Sequence, residues 1–87
     1  MGKYDKYKRK EPVKNPEAIF RNGNLYFKKK DFDNSILHYR EFLKLVPHNV
    51  SAHNQIGICY LQNKDYERAI QEFSQIIKLD PSFYNQS

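Results

Sequence analysis

Residues 16–49 read PEAIFRNGNLYFKKKDFDNSILHYREFLKLVPHN, and residues 50–83 read VSAHNQIGICYLQNKDYERAIQEFSQIIKLDPSF. Set one over the other at a lag of 34, they agree at Ala18/Ala52, Gly23/Gly57, Tyr26/Tyr60, Lys30/Lys64, Asp31/Asp65, Ile36/Ile70, Lys44/Lys78, Leu45/Leu79 and Pro47/Pro81. About two agreements would be expected from average residue usage. Several of the substituted pairs keep size or polarity as well: Phe32/Tyr66, Ser35/Ala69, Tyr39/Phe73, Phe42/Ile76 and Leu43/Ile77. Self-similarity at a fixed short period means one supersecondary unit written twice.

Within each unit the apolar residues recur at three- and four-residue spacing, the period of an amphipathic helix. The pattern predicts helices over about 17–29, 32–46 and 50–63, and a fourth between Asp65 and Pro81. Along them run Ile19, Gly23 and Tyr26; then Ile36, Tyr39, Phe42, Leu43 and Val46; then Ile56, Gly57, Tyr60 and Leu61; and last Ala69, Ile70, Phe73, Ile76, Ile77 and Leu79. Asp31 and Asp65 are suited to cap the second helix of each unit, because a carboxylate there accepts orphan backbone N–H groups and complements the helix dipole. Pro47 and Pro81 stop those helices. The fold class expected is all-α: two tandem antiparallel helix-turn-helix hairpins at 16–49 and 50–83. A flexible basic arm at 1–15 precedes them, and 84–87 form the start of a third helix or a tail.

A 34-residue helix-turn-helix period with Gly and Tyr three apart, a small residue in the next helix, an aromatic four further on and a closing proline resembles the tetratricopeptide repeat. The resemblance rests on Gly23, Tyr26, Ser35, Tyr39 and Pro47 in the first copy and on Gly57, Tyr60, Ala69, Phe73 and Pro81 in the second. It implies that Gly23 and Gly57 let the helices of a hairpin approach closely, that Ser35 and Ala69 are small where helices cross, and that the aromatics fill the space between layers. Two departures stand out: Ile19 and His53 replace the tryptophan often found early in the first helix, and Asn22 replaces the leucine before the first glycine.

The resemblance also implies a protein-interaction module that binds a partner peptide on the inner face of its first helices. Carried onto this chain, that face is Phe20, Asn24, Phe27 and Lys28, followed by Asn54, Ile58, Leu61 and Gln62. The i, i+4, i+7, i+8 spacing independently puts each set on one stripe. Asn24 and Asn54 would offer a donor and an acceptor each. For Phe20, Phe27, Ile58 and Leu61, packing against a neighbouring helix is the competing reading. The carboxylate clamp that some family members use for chaperone tails is matched only at Asn24. Phe20 stands where its first lysine would be, and Gln55 where its second asparagine would be.

Repeat units expose apolar faces that a neighbour must cover, and three or more copies are the usual minimum. With two copies present, either the array is longer or a homo-oligomer, most simply a dimer, completes it. The face expected to self-associate lies near Ile76, Ile77, Phe83 and Tyr84.

Of the 87 residues, 39% are hydrophobic and 29% charged, and the formal net charge is +5. That charge is concentrated at 1–15, where Lys3, Lys6, Lys8, Arg9, Lys10 and Lys14 outweigh Asp5 and Glu11. The arm therefore supplies the alternative function, binding nucleic acid or an anionic membrane surface, with Lys8-Arg9-Lys10 as a phosphate contact or a nuclear address. A single cysteine, Cys59, excludes an internal disulfide and points to a reducing, cytoplasmic setting. No cofactor or metal site and no small-molecule substrate is expected. His38, His48 and His53 have no nucleophile or carboxylate spaced to act with them, so the chain does not read as an enzyme.

Overall fold

The computed structural model describes residues 15–82. The basic arm up to Lys14, and Phe83 and Tyr84 of the expected self-association face, lie outside the described residues. Four helices follow one another: α1 (Pro16–Lys28), α2 (Phe32–Leu45), α3 (Val50–Gln62) and α4 (Tyr66–Leu79). α1 packs on α2 and α3 on α4 as two hairpins, and α2 packs on α3 to join them.

Local chemistry sets each boundary. Asn15 caps α1, its Oδ1 accepting from the backbone N–H groups of Glu17 at 3.0 Å and Ala18 at 3.4 Å, with Pro16 in the first turn. Asp31, Asn49 and Asp65 do the same for α2, α3 and α4 through the N–H groups of Asn34, Ala52 and Arg68. At the end of α1 the Asp31 N–H donates to the Tyr26 carbonyl and the Lys30 N–H to the Phe27 carbonyl, both at 2.9 Å. This is a Schellman turn, and it places Lys30 in the left-handed region at φ 64°. The end of α3 repeats it with Asp65 to Tyr60, Lys64 to Leu61, and Lys64 at φ 63°. Asp31 and Asp65 thus close one helix with their N–H and open the next with their carboxylate.

Inside the hairpins the two glycines face aromatic rings. A Cβ on Gly23 would lie 2.6 Å from Cε1 of Tyr39, and one on Gly57 would lie 2.7 Å from Cε1 of Phe73. Beside the first crossing, the buried Ser35 hydroxyl donates to the Gly23 carbonyl at 2.8 Å, so the small side chain both clears the helix and satisfies itself. The core centres on Tyr39, Ile56 and Cys59, with Phe20, Phe27, Phe32, Ile36, Leu43 and Tyr60 packed around it. It therefore sits at the seam between the hairpins and draws on α1, α2 and α3.

A polar clasp ties the hairpins on the other side. Glu72 of α4 is only 8% exposed, and its carboxylate accepts from Arg40 Nη2 of α2 and meets His53 Nδ1 of α3, each at 2.9 Å. The same guanidinium donates to the Tyr60 hydroxyl at 2.9 Å. Nε2 of His53 lies 3.1 Å from the Pro47 carbonyl. Both ring nitrogens face an acceptor, so a doubly protonated ring donates to both and a neutral ring to one.

Gly23→Ala and Gly57→Ala should each destabilise the protein by about 1–3 kcal/mol in urea denaturation, because a methyl group would overlap the aromatic ring that lies on each glycine. Lys30→Gly and Lys64→Gly should each raise stability by about 0.5–1 kcal/mol, the left-handed strain relieved outweighing the entropy that glycine adds to the unfolded chain.

Candidate functional site

Phe20, Arg21 and Asn24 follow one another on the inner side of α1, opposite the start of α3. With Glu17, Phe42, Asn49 and Ser51 they enclose an open recess of about 420 Å³. A second recess, about 390 Å³, continues along α1 past Arg21, Asn24, Leu25, Phe27 and Lys28 to Gln55 of α3. Arg21 and Asn24 belong to both, so the two recesses adjoin as one groove along α1.

The floor is aromatic. The Phe20 ring packs against Tyr39 and Phe42 at centroid distances of 5.2 and 5.0 Å, and Phe27 meets Phe32 edge-on at 5.5 Å. Phe20 and Phe27 pack against the core cluster and also line the recesses. Asn24 is oriented from below, its Oδ1 accepting the hydroxyl hydrogen of the buried Tyr39. Asn24 also lines both recesses, and its amide carries two N–H donors and an oxygen with a second lone pair. Gln55 reaches the same hydroxyl through Nε2 at 3.5 Å. Cationic Arg21 and Lys28 stand on the rim, and Glu17 is the acid that borders it.

The expected site residues divide accordingly. Phe20, Asn24, Phe27 and Lys28 are gathered along the groove. Asn54, Ile58, Leu61 and Gln62 lie on α3 but are not among the residues lining either recess. In their place stand Ser51 and Gln55, together with Arg21 from α1. Arg21 and Gln55 each follow a residue of the expected stripes, Phe20 and Asn54, and widening those stripes by one 100° step would have included them. Ile76 requires a correction. It is fully buried rather than on an outward face, because it occupies the place of the buried Phe42 one period earlier, and the adjacent Ile77 is the residue that faces outward.

A family model for the tetratricopeptide repeat matches residues 20–82. The chain belongs to the tetratricopeptide repeat family. Members of this family are helical-repeat modules that engage other proteins and are generally non-catalytic. No curated protein matches the chain. Among the described residues no group of three or more His, Cys, Asp or Glu side chains is placed to hold a metal ion, and no helix is long and apolar enough to cross a membrane.

In this tetratricopeptide pair Cys59 is buried in the core beside Tyr39 and Ile56, and burial pushes its thiol up against a smaller opposing effect from the Ser35 hydroxyl. Burial likewise pushes the Tyr39 phenol up, over the lowering effects of its hydrogen bonds with Gln55 and Ser35. An acid whose native value is raised favours folding while it is neutral. That contribution is complete below the unfolded thiol's value of about 8.5 and is lost as pH rises through the native one. Urea midpoints should therefore fall between pH 8 and 10, and fall less steeply in Cys59→Ala; equal slopes in the two proteins would contradict this placement of the thiol.

Proposed function

We propose that the chain is a peptide-binding adaptor whose concave groove takes an extended, acidic segment carrying an apolar side chain. The observation that carries this reading is the set of donor-bearing side chains along the aromatic lining: the Arg21 guanidinium, the Asn24 amide and the Lys28 ammonium. Arginine pairs with a carboxylate through two parallel hydrogen bonds, and a carboxamide N–H can donate to the same group. Phe20, Phe42 and Phe27 supply the apolar contact, in recesses whose volumes are within the range of ligand sites. Asn54, Ile58, Leu61 and Gln62 extend the surface along α3 for the part of a longer segment that passes beyond Gln55.

An array of acidic dodecapeptides containing Phe or Leu, and the same array with Lys in place of Asp and Glu, tests this by fluorescence anisotropy on the full chain. The acidic set should contain ligands at least about tenfold tighter than their basic counterparts at low salt. Arg21→Glu and Lys28→Ala should weaken those ligands with the helical circular dichroism unchanged, since both side chains are exposed. Equal binding of the two sets, or acidic binding indifferent to both substitutions, would overturn the proposal.

A further inference from the structure

Along α4, Tyr66, Ile70 and Ile77 are 57%, 63% and 52% exposed, and the half-buried Phe73 falls between them. Their spacing of i, i+4, i+7 and i+11 keeps all four within about 60° of arc, so they form one apolar stripe. One period earlier stand Phe32, Ile36, Tyr39 and Leu43. There Tyr39 is buried, and the other three pack against the core cluster that Ile56 and Cys59 of α3 complete. The α4 stripe has the build of a surface that receives a helix, while three of its four side chains are more than half exposed among the described residues.

We propose that the occupant is a second copy of the chain, its α4 lying antiparallel to the first across a two-fold axis. Two features of α4 select this partner. The stripe positions 66, 70, 73 and 77 are symmetric about their midpoint, so reversing the partner sets Tyr66 against Ile77 and Ile70 against Phe73, twice over. Charge follows the same symmetry. Glu67 near the start of α4 and Lys78 near its end are both exposed and lie on the same flank of the stripe. In the antiparallel arrangement the same flanks of the two copies come together and each Glu67 meets the other copy's Lys78, whereas in a parallel pair these flanks lie on opposite sides of the seam and the two charges do not meet. Head-to-tail stacking, with α1 of another copy taking the place that α3 occupies on α2, would set Asn22 where the buried Ile56 stands. That would leave an amide in an apolar contact, and such stacking does not close. The interface uses α4 and leaves the groove between α1 and α3 open, so it is independent of the peptide-binding reading.

Sedimentation equilibrium on the full chain over a hundredfold concentration range tests the proposal. The expected result is a reversible dimer that becomes monomeric in Ile70→Glu/Ile77→Glu with helical content retained, since both side chains are exposed. Glu67→Lys alone and Lys78→Glu alone should each weaken the dimer by roughly fivefold, and the two together should restore it, as exposed ion pairs formed twice require. A folded monomer at several hundred micromolar overturns the proposal. So does a mass that climbs past two chains, a dimer unchanged by the Ile70 and Ile77 substitutions, or a charge swap that fails to restore what the single changes lose.

Discussion

The packing of the Tyr39 ring on Gly23 is the contact on which the rest of the structure depends. A glycine there lets α2 approach α1 closely enough for an aromatic ring to lie directly on backbone, and a methyl group would occupy the space of the ring. From that position the ring fills the seam shared with Ile56 and Cys59, while its buried hydroxyl donates to Asn24 Oδ1. A single side chain therefore joins the first hairpin, docks the second and sets the orientation of a polar group on the candidate binding surface. In the second hairpin Phe73 lies on Gly57 in the same way but without a hydroxyl, so the steric half of the device is repeated and the polar half is not.

Two hairpins related by a short period still need something to hold their relative position, and here apolar and polar contacts divide the task. The apolar seam supplies the non-directional part, through side chains of α1, α2 and α3. The Arg40–Glu72–His53 clasp, with Tyr60 at its edge, supplies direction, because a carboxylate nearly out of solvent is costly unless its oxygens are met by donors at defined angles. Three helices contribute to it, so sliding α4 along α3 or α2 along α4 would break at least one of its bonds. His53 stands where the family often places a tryptophan, and it exchanges ring packing for this hydrogen-bonded bridge.

The helices were legible because their determinants are local. Caps at Asp31 and Asp65, breakers at Pro47 and Pro81, and the 34-residue agreement place all four to within a residue or so at each end. Gly23, Gly57, Ser35 and Ala69 were legible for the same reason, since each repeats in register and each role is steric. What the repeat does not share was harder to see. Arg40 and Glu72 are replaced one period away by Ser74 and His38, so no agreement between copies marks the clasp, and its partners lie 32 residues apart. The left-handed Lys30 and Lys64 agree between copies, yet their charge invites a reading about helix dipoles rather than about backbone. In the groove, Phe20, Asn24, Phe27 and Lys28 followed from helical spacing. The matching stripe on α3 did not line the recesses, because Asn49, Ser51 and Gln55 border the groove at that side.

The molecule thus presents two surfaces of different character. The groove of α1 and α3 is aromatic below and rich in donors at its rim, and the outer face of α4 is apolar with opposite charges at its two ends. We propose the first of these as the surface on which a partner peptide lies. The most direct measurement is a titration of the 15N-labelled chain with a binding acidic peptide, followed by amide chemical shifts. The account predicts that shifts concentrate at Phe20, Arg21, Asn24, Phe27 and Gln55 while the exposed residues of α4 stay unmoved. Shifts confined to α2 and α4, with those five amides unchanged, would contradict it.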